Sequence, residues 1–129
     1  MKRFSTHRAF SILLLGGLNP ALFGASESPL DLEKGRKLYE TCASCHDPGL
    51  PTKSGPDLRG IFGRKIATQP GFRYSRAMQK ARIVWDETTL EAFLASPQDT
   101  VPGNAMPFPG LPQSAERRDL LAFLKTLNP

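Results

Sequence analysis

The sequence CASCH at residues 42–46 places two thiols three residues apart and an imidazole directly after the second thiol. This is the spacing of the c-type haem attachment motif, in which each thiol adds across a vinyl group of the porphyrin to give a thioether. The covalent anchor holds the following imidazole close to the iron. We therefore predict one haem c, attached through Cys42 and Cys45, with His46 as an iron ligand.

Two other uses of closely spaced cysteines compete with this interpretation. A structural zinc site needs four ligands, and the chain offers only two cysteines and one further histidine, His7, close to the amino terminus. A thioredoxin-type redox pair would open a helix within a strand-helix-strand unit. Here the pair follows a predicted helix in a chain without strand patterns. The two cysteines are also too close together to link distant parts of a secreted chain as a disulfide.

The amino-terminal region has the organisation of a secretory signal peptide. Three basic residues lie within the first eight positions, a mostly apolar run covers 9–22, and small residues follow at 24–26. The apolar run is interrupted by glycine and proline and is shorter than the roughly 20 residues of a membrane span. We predict cleavage after Ser26, with Ala25 as the alternative site and an uncleaved anchor as the competing interpretation. Such a leader predicts export to a periplasm.

Removal of residues 1–26 would leave residues 27–129 as a single domain. It would discard three of the 17 basic residues and none of the 12 acidic residues, so the net charge falls from +5 to +2. Two haem propionates would bring the total near zero. We therefore expect no nucleic-acid binding, which requires a concentrated basic footprint. In a domain this small, a large buried cofactor would contribute much of the stability.

The hydrophobic pattern predicts an all-α fold with long loops. Ser28 and Pro29 are suited to open a first helix, whose apolar face would include Gly35. That glycine either weakens the helix or leaves room for a crossing partner. No segment alternates apolar and polar residues convincingly, so we expect no β-sheet.

Three further helices are predicted after the motif. Ser75 is expected to cap a short helix over about 76–81, and Asp86 to cap a helix that stops before Pro97. Ser114 is expected to cap the last helix. Segments 47–70 and 97–112 are rich in glycine and proline, so both are predicted to be irregular.

From about Asp31 to Leu127 the sequence resembles the class I cytochromes c, particularly the soluble bacterial forms close to mitochondrial cytochrome c. Besides CASCH, the resemblance is carried in order by SGPDLRGIFGR (54–64), PGFRYS (70–75), VW (84–85), TLEAFLASP (89–97), VPGNAMPFPG (101–110) and ERRDLLAFL (116–124). It implies that the first and last helices cross and that a middle helix and long loops wrap around one covalently bound haem. It also implies a one-electron carrier that is not an enzyme.

The resemblance implies the second axial ligand as well. The methionine of VPGNAM, Met106, matches the family's sulfur ligand, although a lone methionine is otherwise a core filler. A histidine and methionine pair raises the reduction potential and fills both axial positions. Pro56 matches the proline whose carbonyl accepts a hydrogen bond from the histidine ligand and thereby orients its ring.

Further cofactor contacts follow from the same resemblance. Tyr74, Ser75 and Trp85 match positions that enclose or hydrogen-bond the haem propionates, and Arg64 matches a nearby cation. Without the resemblance, Trp85 would be interpreted as ordinary core.

Several positions concern packing or depart from mitochondrial relatives. Gly35, Tyr39 and Phe123 match the crossing of the first and last helices. Phe93 replaces a frequent tyrosine beside the methionine ligand, while Met78 and Asn104 replace members of a buried polar network, and Met78 is a minor competitor for the iron.

The expected partners are redox proteins, either membrane reductases and oxidases or periplasmic dehydrogenases. We expect a monomer without stable membrane insertion. Mitochondrial relatives surround the exposed haem edge with lysines, but this chain has Ala105 before Met106 and no lysine between Lys80 and Lys125. Charge steering towards an acidic oxidase or reductase should therefore be weaker, and we expect a more apolar partner interface with the segment 107–109 near the haem edge.

Two other functions are carried as alternatives. A haem enzyme or ligand sensor would need a labile sixth ligand and a distal acid-base group, and no histidine besides His46 remains after loss of the leader. An electron-entry subunit of a dehydrogenase would use the same chemistry with a dedicated partner.

Overall fold

The computed structural model describes residues 28–49 and 54–129; the predicted signal peptide and its cleavage site lie outside these ranges. The described chain forms five helices, with no strand beyond an isolated antiparallel bridge between Lys65 and Val84. The helices are α1 (Leu32–His46), α2 (Arg76–Lys80), α3 (Glu87–Ala95), α4 (Pro97–Thr100) and α5 (Ser114–Thr126). The predicted all-α class with long loops is confirmed.

Helix α1 begins later than Ser28 and Pro29 suggested, so that prediction is wrong. Asp31 is the N-cap, and its carboxylate accepts a hydrogen bond from the backbone N–H of Lys34 at 3.0 Å. The backbone N–H of Asp31 in turn donates to the carboxylate of Asp119, 88 residues away on α5, at 3.0 Å. A contact between helices thus fixes where α1 begins, and this contact is invisible in local sequence.

Helices α1 and α5 cross in direct contact at Gly35. A Cβ atom built on Gly35 would overlap the backbone carbonyl of Asp119 and lie 2.8 Å from the Cβ of Phe123. Beside this point the rings of Tyr39 and Phe123 pack with their centroids 5.4 Å apart. The glycine is therefore needed for close packing, as the resemblance implied.

The shorter helices follow the predicted caps closely. Ser75 Oγ accepts from the N–H of Met78 at 3.3 Å, and Asp86 forms a reciprocal capping box with Thr89. Helix α5 has Gln113 as its N-cap, without a side-chain bond, and Ser114 is its first helical residue. The prediction of Ser114 as cap is wrong by one position.

Segment 97–112 is not wholly irregular, which corrects a third prediction. Pro97 opens the one-turn helix α4, where its fixed φ suits the first helical position and its missing N–H costs nothing. The residue before it, Ser96, stays extended, as expected before proline. A proline can therefore end one helix and begin the next.

The core lies between α3, α5 and the loop 61–66. Its buried side chains are Ile61, Ile66, Trp85, Leu90, Phe93, Leu94, Val101, Leu120, Leu121 and Leu124. Cys42 and Met106 are among the partly buried side chains that pack against this core. Both ends of the candidate site are therefore anchored on the same apolar cluster.

Candidate haem site

The last turn of α1 presents the three side chains of the attachment motif. Cys42 and Cys45 are half-buried free thiols, and the side chain of His46 is buried. Burial raises the pKa of the Cys42 thiol, so the thiol is kept protonated. Because neither sulfur is engaged in a disulfide, both are available to form thioethers.

The ring of His46 is held by the loop that follows the motif. Its Nδ1 lies 2.6 Å from the carbonyl oxygen of Pro56 and donates to it when that nitrogen carries the proton. Burial lowers the pKa of His46, and the Pro56 bond opposes that shift only in part. The imidazole is therefore neutral, with Nε2 left free as a metal donor. The expected hydrogen bond between His46 and Pro56 is present. That this bond orients an iron ligand stays a prediction.

Gly55 supports the same ring by contact, a role that the sequence analysis missed. A Cβ atom on Gly55 would lie 2.6 Å from both Nδ1 and Cε1 of His46. The N–H of Gly55 also donates to the carbonyl of Cys45 at 2.9 Å, so the loop is tied back to the motif. The sequence did contain a signal for this contact, because Gly55 directly precedes Pro56, the residue expected to face His46.

The backbone of Met106 is held by a hydrogen-bond network centred on the buried side-chain amide of Asn104. The Nδ2 group donates to the carbonyls of Pro97 and Val101 at 2.9 Å each. The Oδ1 atom accepts from the backbone N–H of Met106 at 3.0 Å. Asn104 thus satisfies three backbone groups and fastens the Met106 segment to α4, although the sequence identified it only as a departure from relatives.

Gln98 completes this network on its outer side. Its Nε2 donates to the carbonyl of Asn104 at 3.0 Å, and its Oε1 accepts from the N–H of Gly103 at 3.2 Å. Gly103 adopts φ +80°, a left-handed conformation that glycine tolerates. The turn before Met106 is therefore fixed by side-chain amides, without a regular secondary element.

The four predicted propionate contacts fall into two groups. Arg64 and Trp85 are neighbours, because the backbone N–H of Trp85 donates to the backbone carbonyl of Arg64 at 2.9 Å. The Arg64 guanidinium donates to the carbonyls of Asp57 and Arg59. Trp85 is buried with its ring edge-on to Phe93, the centroids 5.1 Å apart. Trp85 is therefore part of the core, and its contact with a propionate stays a prediction.

Tyr74 and Ser75 lie together at the start of α2. Tyr74 packs edge-on against Phe72 with centroids 4.9 Å apart, and partial burial raises the pKa of its hydroxyl. Ser75 uses its oxygen to cap α2 at Met78, and Met78 is partly buried against the core. The propionate roles of Tyr74 and Ser75 remain predictions.

These residues fit a covalently bound haem. The donor set contains two free thiols, a neutral imidazole with one nitrogen free, and a thioether sulfur on a partly buried segment. No group of three or more His, Cys, Asp or Glu side chains within 28–49 and 54–129 could hold a metal ion by itself. The donors match a metal that arrives already bound in a porphyrin.

Comparisons with known proteins agree with this chemistry. The model of the cytochrome c family matches residues 32–128. Cytochrome c of Sesamum indicum is 44% identical over 100 residues, covering 75% of this chain and 90% of that protein. Cytochrome c2 of Rhodoblastus acidophilus is 41% identical over 96 residues, covering 73% and 90%. The structure of cytochrome cH from Methylobacterium extorquens superposes with a TM-score of 0.68 at 35% identity, covering 74% of this chain and 98% of that one.

The fold and the site together define an all-α haem protein of the c type. The chain belongs to the cytochrome c family. It carries one haem c, bound covalently through Cys42 and Cys45, and serves as an electron carrier that works with redox partners. Within the described residues, none of the helices is both long and apolar enough to cross a membrane.

Proposed function

We propose that the protein is a periplasmic one-electron carrier whose haem iron is ligated by His46 and Met106. The observation that carries the proposal is the pair of separately fixed donors. His46 is locked by Pro56 at 2.6 Å, and the Met106 backbone is bonded to Asn104 at 3.0 Å. Two donors held in place before any redox event favour an iron that keeps the same ligands in both oxidation states.

The bound haem supplies the one-electron couple, with the sulfur ligand favouring ferrous iron. The protein's own part is to keep the ligand set constant. The Pro56 carbonyl favours the tautomer with the proton on Nδ1 of His46, so Nε2 would be the nitrogen that binds the iron. Asn104 holds the Met106 backbone on its own side of the site. No substrate is chemically altered in this scheme.

Four further residues are proposed to enclose the propionates. Arg64 would contribute positive charge, while Tyr74, Ser75 and Trp85 would contribute hydrogen-bond donors and walls. Support comes from their placement: Arg64 and Trp85 are joined through the backbone, and Tyr74 is half-buried beside α2. A buried carboxylate needs such neighbours to remain charged.

The periplasmic location rests on the amino-terminal pattern of basic, apolar and small residues. The mature protein would then be residues 27–129. Expression of the full gene in a bacterium with a c-type maturation system, followed by cell fractionation and mass spectrometry, tests this point. Haem-bearing protein beginning at Glu27 in the periplasmic fraction is the expected result. An intact amino terminus in the membrane fraction would instead support the uncleaved anchor.

The axial ligands are tested by absorption spectroscopy of the oxidised holoprotein. Sulfur on ferric iron gives a weak long-wavelength band, which we expect in the wild type and in Met78→Ala but not in Met106→Ala. Met78→Ala is the matched control because it removes a second partly buried sulfur. Persistence of the band in Met106→Ala, or its loss in Met78→Ala, would overturn the Met106 assignment.

The same samples separate the carrier from a haem enzyme or ligand sensor. A carrier with both axial positions filled should be low-spin and should bind carbon monoxide poorly when reduced. A high-spin wild-type spectrum with ready carbon monoxide binding would contradict the proposal and favour the open-site alternative. Isolation as a stable complex with a dehydrogenase would favour the dedicated electron-entry subunit.

A further inference from the structure

Positive charge is concentrated in one segment of the chain. Between Asp57 and Asp86 there are seven basic residues and no acidic residue. The rest of residues 27–129 contains seven basic and twelve acidic residues, so the segment carries +7 and the remainder −5. The small net charge of the predicted mature chain therefore conceals a strong asymmetry.

Most of this segment is a closed loop. Its ends meet at the bridge between Lys65 and Val84, and the Ile66 N–H donates to the Ile83 carbonyl at 2.9 Å. We call residues 65–84 the basic loop. Its apolar side chains turn inward: Ile66 is buried, and five others pack partly buried against the core (Ala67, Ala77, Met78, Ala81 and Ile83). The loop is thus a packed part of the fold.

The cations of the basic loop point outward. All five are exposed, and within the described residues none forms an ion pair; they are Lys65, Arg73, Arg76, Lys80 and Arg82. Several cations elsewhere are paired, among them Arg36 with Glu33 and Glu40 on α1, and Lys125 with Glu87 between α5 and α3. Five uncompensated charges on one loop produce a field that local pairs do not cancel.

The basic loop also adjoins the Met106 segment. Ala77 of α2 faces Gly103, since a Cβ built on Gly103 would lie 3.7 Å from the Cβ of Ala77. Arg76 and Lys80 flank this contact on the same short helix. The expectation of weaker charge steering rested on Ala105 and on the absence of lysine between Lys80 and Lys125. The exposed cations of the basic loop nevertheless lie directly beside the Met106 segment.

We propose that the basic loop is a docking surface for an acidic patch on a redox protein partner, with Arg76 and Lys80 as its main contacts. The proposal rests on the carrier function proposed above. The loop would attract and orient the partner, while the neutral segment beside it would make the close contact through which the electron passes. Charge complementarity, with five exposed cations and no acidic residue on the basic loop, identifies the partner surface as acidic.

A protein partner fits the surface better than an anionic lipid bilayer. Membrane-surface segments combine cations with exposed apolar side chains that enter the interface. Among the described residues the exposed large hydrophobic side chains are Leu30, Leu32 and Val84, and only Val84 lies on the basic loop. The loop offers five cations but only one exposed large apolar side chain, which lies at its closing bridge.

The experiment compares two double variants of the holoprotein that remove the same charge. Arg76→Gln/Lys80→Gln neutralises the basic loop, and Lys34→Gln/Lys37→Gln neutralises two exposed lysines of α1. Each reduced protein is oxidised by respiratory membranes of the source organism over a range of ionic strength. We expect the loop variant to show a roughly threefold to tenfold higher KM at low salt, an unchanged kcat and a shallower salt dependence. The α1 variant and Arg76→Lys should behave like the wild type.

Three other outcomes would overturn the proposal. Equal salt dependence in both double variants would show that only net charge matters. A loop variant indistinguishable from wild type would show that docking occurs elsewhere. Wild-type sedimentation with phosphatidylglycerol vesicles, lost in the loop variant, together with unchanged oxidation kinetics would assign the loop to a membrane surface. If the wild type itself is never oxidised although its long-wavelength band is intact, the carrier function fails rather than the docking site alone.

Discussion

The two segments that face the proposed iron site are built on opposite principles. His46 is the last residue of helix α1 and directly follows the haem-attachment residue Cys45. Its ring also contacts the loop of Gly55 and Pro56. Met106 lies in a segment without regular structure, and its backbone depends on the buried side chain of Asn104. For the proposed ligand pair, the difference predicts that His46 stays bound to the iron, whereas a single substitution beside Met106 weakens its bond.

The largest expected effect is on the histidine side. Gly55→Ala would place a methyl group 2.6 Å from the ring of His46, which is buried and bonded to the Pro56 carbonyl. We therefore expect a loss of about 3 kcal/mol in the free energy of unfolding. Chemical denaturation of the holoprotein, followed by its visible spectrum, measures this loss. Gly49→Ala is the matched control, because its Cβ would meet only the flexible Asp47 side chain at 3.2 Å. Equal, small losses in both variants would show that Gly55 does not restrain the ring.

Asn104→Ala should have the next largest effect, on the methionine side. It leaves the N–H of Met106 without its partner and removes one of two hydrogen bonds at each of the carbonyls of Pro97 and Val101, for a loss of about 2 kcal/mol. These carbonyls keep their backbone bonds from the N–H groups of Val101 and Asn104. Titration of the ferric holoprotein with imidazole measures the consequence for the ligand. We expect about tenfold tighter imidazole binding than in the wild type, because a loosened Met106 competes less well.

Gln98→Ala is the graded control for that experiment. It removes only the outer bonds to the Asn104 carbonyl and the Gly103 N–H, and its side chain is exposed. We expect a smaller loss of stability, below about 1 kcal/mol, with imidazole affinity close to that of the wild type. Imidazole binding that tightens equally in both variants would contradict the central role of Asn104.

The smallest effect is expected at Asp57, directly after Pro56. Its hydrogen bonds from Arg59 hold the pKa of the carboxyl below its ordinary value of 3.8. The ionised form therefore stabilises the fold above that value, and this contribution is lost as the pH falls through the lowered pKa. Since Arg59 is largely exposed, we expect Asp57→Asn to cost only a few tenths of a kcal/mol near neutral pH. Urea unfolding near neutral pH and in acid should show the difference vanish in acid; a constant difference would exclude this ion pair as its cause.

Local sequence was sufficient wherever one short segment contains all the needed groups. Asp86 and Thr89 form a capping box within four residues, and Ser75 caps α2 as its position predicted. Local sequence was misleading where a distant residue intervenes. Ser28 and Pro29 make a plausible helix start, but the hydrogen bond from Asp31 to Asp119 selects a start three residues later.

The attachment chemistry could be predicted from the sequence alone, because two thiols and an imidazole within five consecutive residues need no other part of the chain to define a haem c motif. It also indicated the all-α class through hydrophobic spacing and caps. The contacts that hold the site in place are visible only in the folded structure. The contact of Gly55 with the His46 ring, the bonds of Asn104 around Met106 and the closure of the basic loop join residues that are separated along the chain. Such contacts depend on how helices and loops pack, and packing is a property of the whole fold.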